Sequence, residues 1–261
     1  KEIESIRSFF ATQNIDQCKL FLWSDIVIDK KKLKSEIGEL IDLITFKIYD
    51  PQLESKDTPL ENFYYLDTKD DKHWFQSDIF RILILFKYGG FFIDSDIILL
   101  RCFSALYDLE FMYQWGGSNK RNIFESCATV FKLKKNSENA HLIINKLSKV
   151  KFARKGTTAL GKDLFKKIKY NEYFQILPCA FFNIEWNIGL IDRQLTEDIK
   201  KTWFKNEISN HHFLFQDCFS WHWHGSSHRK EIAIPNSKFD KLRNINKLKV
   251  YKRYKQLIDE E

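Results

Sequence analysis

The sequence predicts an α/β fold with a mostly parallel central sheet and flanking helices, and two observations carry that expectation. In the first 50 residues helical and apolar segments alternate. A helix at Glu2 to Phe10 precedes an apolar run from Lys19 to Trp23, which ends at Ser24-Asp25. A polar, helix-compatible segment from Lys30 to Leu40 then leads to a second apolar run, Ile41 to Tyr49, ended by Asp50-Pro51. Short apolar runs bounded by turn residues read as buried strands, and their alternation with helices is the pattern of a parallel sheet. The second observation is the stretch from Ser77 to Leu100, which reads as helix, glycine pair, strand, Asp-x-Asp and strand.

The remaining elements follow in order. Leu60 to Leu66, with Pro59 at its start, reads as a short helix, and Lys69 to His73 as a loop. From Ser77 to Tyr88, Ile79, Ile82, Leu83, Leu85 and Phe86 recur at helical spacing. Ser77 is the expected N-cap, and Asp78 lies in the first turn, where the helix dipole favours a negative charge. Gly89-Gly90 ends that helix, and Phe91-Phe92-Ile93 is a buried strand running into Asp94-Ser95-Asp96 before the apolar run Ile97 to Leu100. Phe111 to Trp115 and Ala128 to Leu133 read as strands, Asn136 to Val150 and Thr158 to Ile168 as helices. Beyond Ile176-Leu177-Pro178 the chain is rich in aromatic residues. From Lys238 to Leu257 a basic helix carries Lys241, Arg243, Lys247, Lys249, Lys252, Arg253 and Lys255. Its face is either solvated or laid against an anionic membrane.

Composition limits the function. With 44% hydrophobic and 30% charged residues the chain is of globular type. No apolar run reaches the roughly 18 residues of a membrane-spanning helix. Forty-two basic residues against 35 acidic give a net charge of +7, suited to phosphate-bearing or anionic partners without requiring nucleic acid. The 5 cysteines are widely spaced and form no CxxC pair, which argues against a zinc site or a disulfide scaffold. No Asn-x-Ser/Thr site occurs. Together these features favour a reducing, cytoplasmic compartment.

Asp94 and Asp96 close a strand, where open α/β sheets place their ligands. Hard carboxylate oxygens suit Mg²⁺ or Mn²⁺ and leave coordination positions open for phosphate oxygens. On its own an Asp-x-Asp after a strand is equally a polar turn. It also opens phosphatases of the haloacid dehalogenase type, but there the motif sits on the first strand and has Thr or Val where this chain has Ile98.

The whole run from Ser77 through Asp78, Arg81, Tyr88-Gly89-Gly90 and Phe92 to Asp94-Ser95-Asp96 resembles the "SD-x-x-R … YGG-x-Y-x-D-x-D" signature of glycosyltransferases with a DXD sugar-binding region, family thirty-two and its relatives. Asp57-Thr58-Pro59-Leu60-Glu61-Asn62-Phe63-Tyr64 is similar to the segment before that signature in lactosylceramide galactosyltransferases. Leu177-Pro178 through Asn183-Ile184-Glu185-Trp186 is similar to their "LP-x-x-x-F-x-P-I-x-W" stretch, and His222-Trp223-His224-Gly225-Ser226 to their "H-x-x-G-S" loop. The likeness runs from about residue 5 to 228 and is most specific over 77–96. α-Mannosyltransferases and the large clostridial glucosylating toxins share the core signature.

The resemblance implies a GT-A-like, Rossmann-type nucleotide-sugar-binding domain over residues 1–235, its first strand missing from the chain, with the basic helix over 236–261 packed on it or appended. It implies a metal site of Asp94, Asp96 and His222, catalytic roles for Asp94, Asp96 and Arg81, and donor contacts from Ser77, Asp78, Arg81, Ser95, Trp223, Gly225 and Ser226. Trp221 and Trp223 either close over the donor or belong to the core. The cofactors implied are Mn²⁺ or Mg²⁺ and a nucleotide-sugar, UDP-linked rather than GDP-linked. The reaction implied is retaining transfer of a hexose or N-acetylhexosamine to a hydroxyl of a glycan, glycolipid or protein, as in polysaccharide biosynthesis. The alternative is a non-catalytic sugar- or nucleotide-binding domain on the same fold. Two departures bear on the donor: Gly161-Lys162 stands where the family has Gly-Pro, and Glu125-Ser126 where it has Asn. A cytoplasmic, membrane-associated location is expected, or a Golgi lumen if an upstream anchor was removed.

Overall fold

The computed structural model describes residues 1–67, 74–114, 126–152, 164, 174–183, 203–205 and 217–258. In chain order the elements are α1 (Ile3–Thr12), β1 (Leu20–Ser24), α2 (Lys30–Ile37), β2 (Ile44–Ile48), α3 (Pro51–Ser55), α4 (Trp74–Tyr88), β3 (Gly90–Ile93), β4 (Ile97–Leu99), β5 (Glu110–Gln114), β6 (Ser126–Leu133), α5 (Glu138–Leu147), β7 (Phe174–Leu177), β8 (Ser220–His222), α6 (Gly225–His228) and α7 (Lys238–Ile258). The chain divides into two compact units, one of Lys1–Ile48, Ser95–Ala105 and Cys179–Glu261, the other of Tyr49–Asp94 and Leu106–Pro178. The expected helix over Thr158 to Ile168 lies outside the described residues, as does the expected loop from Lys69 to His73.

In the first unit β1 and β2 pair in parallel, as their apolar runs predict, with Leu20 opposite Ile44 and Ser24 opposite Ile48. A second pair, β4 and β8, is antiparallel, with Ile97 opposite His222 and Leu99 opposite Ser220. The other edge of β4 is covered by the polar side of α1. Ser5 Oγ donates to Ser95 O at 2.6 Å, Ser8 Oγ accepts from Leu99 N–H at 2.9 Å, and Gln13 bonds both Arg101 O and Phe103 N–H at 3.0 Å. Helix side chains thus satisfy backbone groups that a further strand would otherwise pair, and a short edge strand is kept from slipping. Trp203 stacks on Trp221 at 4.2 Å within a core that includes Trp223, Phe204 and Phe239. α7 packs back on α1, where Arg253 Nη1 donates to Phe10 O at 3.0 Å and Tyr254 meets the Phe10 ring edge-on.

The second unit holds a four-stranded sheet in the order β3-β6-β5-β7. Here the expectation of a mostly parallel sheet is corrected. β6 runs antiparallel to both β3 and β5, and only β5 and β7 are parallel. β6 is buried along nearly its whole length, a pattern that parallel strands covered on both faces and a central strand of a mixed sheet share. The core gathers Ile79, Ile82, Leu83 and Phe86 of α4 with Phe131 of β6 and Ile143, Ile144 and Leu147 of α5.

Three local expectations are also corrected. Asp50-Pro51 does not simply end a strand. Asp50 accepts from Gln52 N–H (2.9 Å) and Leu53 N–H (3.1 Å) and so caps α3, with Pro51 in its first turn. Leu60 to Leu66 forms turns rather than a helix, because Asn62 sits at φ 59°, a left-handed conformation that no helix accepts. Ser77 is not an N-cap, since α4 already begins at Trp74. The glycine stop holds as expected. Gly89 has φ 68°, and a Cβ there would lie 2.6 Å from Lys135 N, so both conformation and space require glycine.

Candidate active site

Asp94 ends β3 in the second unit, where its N–H donates to Thr129 O at 2.9 Å and extends the β3–β6 ladder by one bond. Its carboxylate faces Arg81, which the helical period of α4 places on the buried face. Arg81 distributes its donors fully. Nη1 bonds Ala128 O at 2.7 Å, while Nη2 lies 3.1 Å from Asp78 Oδ1, 3.4 Å from Asp94 Oδ1 and 3.2 Å from Ser77 Oγ. The guanidinium also stands 4.6 Å over the Phe92 ring. Burial works against its charge, but Asp94 and Asp78 outweigh burial and raise its pKa, so Arg81 stays cationic. Arg81 is therefore a fixed countercharge that holds the Asp78 and Asp94 carboxylates in place.

Beside this group lie Tyr113 and Cys127, opposite each other on β5 and β6, both bonded to Thr129 Oγ1; the Tyr113 bond is short and the Cys127 Sγ lies at 3.4 Å. Burial raises the pKa of both the phenol and the thiol, and Asp94 adds to each shift. Sequence reading missed this trio. The signal available was a Thr breaking the apolar run of a buried strand, which is too common to single out.

Asp96 belongs to the first unit. The antiparallel β4–β8 register is prolonged by Trp223 N–H donating to Asp96 O at 3.1 Å, which brings the His222 ring to the Asp96 carboxylate. His222 Nε2 lies 3.1 Å from Asp96 Oδ2, and Gly225 N–H donates to the same oxygen at 2.8 Å. Burial acts to raise the Asp96 pKa, yet His222 and the Gly225 amide prevail and hold it below the usual carboxylate value. Gly225 is confined: a Cβ would lie 2.9 Å from the Trp223 ring and 3.2 Å from Asp96 Cβ. The His224 ring packs 4.0 Å from that of His222 and is bonded by the buried Asn183 Nδ2 at 3.1 Å. Asn183 lies inside the LP-x-x-x-F-like stretch, so its sequence neighbourhood pointed to it although its role did not.

Other expected site residues fall as follows. Ser95 is exposed, and its carbonyl is bonded by Ser5. Trp223 is 1% exposed and packs edge-on to Phe239 in the core. The Ser226 side chain, Glu125, Gly161-Lys162 and Ile184 to Trp186 lie outside the described residues. Among the described residues no group of three or more His, Cys, Asp and Glu side chains gathers around one ion position. The chemistry of Asp96 and His222 nonetheless fits a divalent cation. Their 3.1 Å separation is close to the ~3 Å kept by neighbouring ligands of an octahedral ion at ~2.1 Å, and carboxylate with imidazole suits Mn²⁺.

The mixed α/β chain thus closes a strand with Asp-x-Asp, one carboxylate against a guanidinium and the next against an imidazole. Residues 1–120 match the family described as glycosyltransferase sugar-binding region containing DXD motif, and Asp94-Ser95-Asp96 is the DXD of that stretch. The resemblance read from the sequence thus holds over the part of the chain with the most specific motif, and glycosyl transfer is the class of reaction it indicates. No solved structure matches the chain.

Proposed function

We propose that the protein is a divalent-metal-dependent glycosyltransferase that moves a hexose or N-acetylhexosamine from a nucleotide-sugar, UDP-linked in preference to GDP-linked, to a hydroxyl of a glycan, glycolipid or protein. The reading is carried by one observation: the carboxylate of Asp96, which lies in the family-matched stretch, faces Nε2 of His222, from outside that stretch, at 3.1 Å, with the Gly225 amide on the same oxygen. Asp96 and His222 are the residues that would hold Mn²⁺ or Mg²⁺. When bound, such an ion neutralises charge developing on the nucleoside-diphosphate leaving group.

The chain's own residues then divide the work. Arg81 keeps Asp78 and Asp94 oriented toward donor hydroxyls and contributes positive potential where negative charge builds up. Ser77, Ser95, Gly225 and Ser226 are the other proposed donor contacts, whereas Trp223 belongs to the core. No side chain of the motif is an evident covalent nucleophile, so the proposal includes front-face attack by the acceptor hydroxyl with retention of configuration, assisted by the leaving phosphate. The test is release of nucleoside diphosphate from a panel of nucleotide-sugars, with and without Mn²⁺, using Asp96→Asn as control. Metal-dependent release from one donor, lost in the control, is the expected result. Donor binding with no release from any donor would make the chain a binding domain instead.

A further inference from the structure

We propose that the exposed face of α7 docks on an anionic lipid surface. Beyond its first turn, where Phe239 and Asp240 are buried, the helix buries one narrow stripe, Leu242, Asn246, Val250 and Tyr254, at a spacing of four residues. Apart from Arg253, the remaining residues from Lys247 to Leu257 face outward. That face carries Lys247, Lys249, Lys252 and Lys255, all exposed, and among them Leu248 at 53% and Tyr251 at 42% exposure. From Lys241 to Ile258 the helix contains no acidic residue. Asp240, in the first turn, is bonded to Arg243. Arg253 is turned inward to Phe10 O. Lys247, Lys249 and Lys252 make no ion pair among the described residues, which give their three ammonium groups no countercharge.

The mixture of residues selects the partner. Lysines alone would fit any polyanion, but Leu248 and Tyr251 lie three residues apart on one face, with Lys252 and Lys255 a turn further along, and exposed apolar groups gain nothing from a purely polar polyanion. At a bilayer interface the Leu and the Tyr ring bury in the headgroup region while the lysine stems reach back to lipid phosphates. The helix lies on such a surface and does not cross it; among the described residues no helix is long and apolar enough to do so. This inference stands apart from the transferase reading, because it uses no residue of the candidate site.

The experiment is co-sedimentation of the full chain with phosphatidylcholine vesicles, with and without about 30 mol% phosphatidylserine, at about 0.1 and 0.5 M salt. Binding is expected only with phosphatidylserine and is expected to fall with salt. Replacing Lys247, Lys249 and Lys252 together by Gln is expected to weaken it roughly a hundredfold, at about fivefold per lysine. The Leu248→Ser/Tyr251→Ser double variant is expected to weaken vesicle binding roughly tenfold and to leave retention on a duplex DNA column unchanged. All these positions are exposed, and an unchanged thermal midpoint verifies that each variant is folded. Equal binding to neutral vesicles, no vesicle binding, or indifference to the lysine substitutions would overturn the proposal. So would tighter binding to duplex DNA than to the anionic vesicles.

Discussion

Asp94 and Asp96 are separated by a single residue, yet each is held in its own unit by a different kind of partner. Asp94 lies against a guanidinium that is 5% exposed and shared with Asp78, Ser77 and a backbone carbonyl. Asp96 lies against an imidazole and a backbone amide. A guanidinium does not titrate in the physiological range and cannot bind a cation. An imidazole does both. The difference teaches that one carboxylate of the motif is fixed by a permanent countercharge, whereas the other faces a group that can itself titrate, so the same substitution is expected to have different consequences at the two positions.

The largest expected effect breaks the Asp94 side. Arg81→Met removes a buried countercharge from two carboxylates and a donor from Ala128 O, and is expected to cost about 3 kcal/mol or more in urea unfolding. Arg81→Lys, lacking the planar fork, is expected to recover only part of this. At Asp96 the balance reverses. Asp96→Asn keeps a hydrogen-bonding side chain beside His222 and Gly225 and is expected to change stability by no more than about 1 kcal/mol, while lowering metal-dependent turnover by about 10²–10³-fold. If Asp96→Asn unfolds the protein and Arg81→Met does not, the assignment of the two carboxylates is the wrong way round.

How much of this was legible in the sequence follows the same division. Arg81 and Asp78, three apart on a helix with an apolar face, were readable because helical periodicity is local, and the Gly89 stop because a positive φ is a property of one residue. His222 was found through its motif, not its position: its meeting with Asp96 depends on a β4–β8 pairing across more than 100 residues, as shown by Ile97 opposite His222. Nothing local encodes that register. The Tyr113–Cys127–Thr129 group was missed for the same reason, being created by a β5–β6 register that shifts between Phe111 and Tyr113. Strand direction is likewise absent from hydrophobic pattern, which is why a mostly parallel sheet was expected although β6 runs antiparallel to both its neighbours.

Glycine positions sharpen the comparison at intermediate scale. Gly225→Ala pushes a Cβ to 2.9 Å from the Trp223 ring and 3.2 Å from Asp96 Cβ. It is expected to cost about 1–3 kcal/mol as overpacking and to weaken Mn²⁺ binding by displacing Asp96. Gly89→Ala in the other unit meets the Lys135 backbone and a positive φ, with a comparable stability cost. It is expected to leave Mn²⁺ affinity unchanged. Calorimetric titration with Mn²⁺ alongside thermal melts distinguishes the two, and equal loss of metal affinity would show that any destabilised variant loses the site.

The smallest effects lie at the two ends of the pH scale. Burial raises the Tyr113 phenol well above its ordinary 10.0 and the Cys127 thiol above 9.0. Both keep protons in the fold that the unfolded chain has released. Stability from this group is therefore complete below about pH 9 and declines as pH rises through the alkaline range. Asp96 works in the opposite sense. Although burial acts against it, His222 and the Gly225 amide hold its carboxyl below the ordinary 3.8, so the unfolded chain takes up the proton first as pH falls. Its contribution is present above that value and is lost in acid. Unfolding free energies of the metal-free protein between about pH 3 and 10.5 should show both limbs, with Asp96→Asn flattening only the acid one and Tyr113→Phe only the alkaline one. If Tyr113→Phe also flattens the acid limb, or Asp96→Asn the alkaline one, the two limbs do not arise from independent groups.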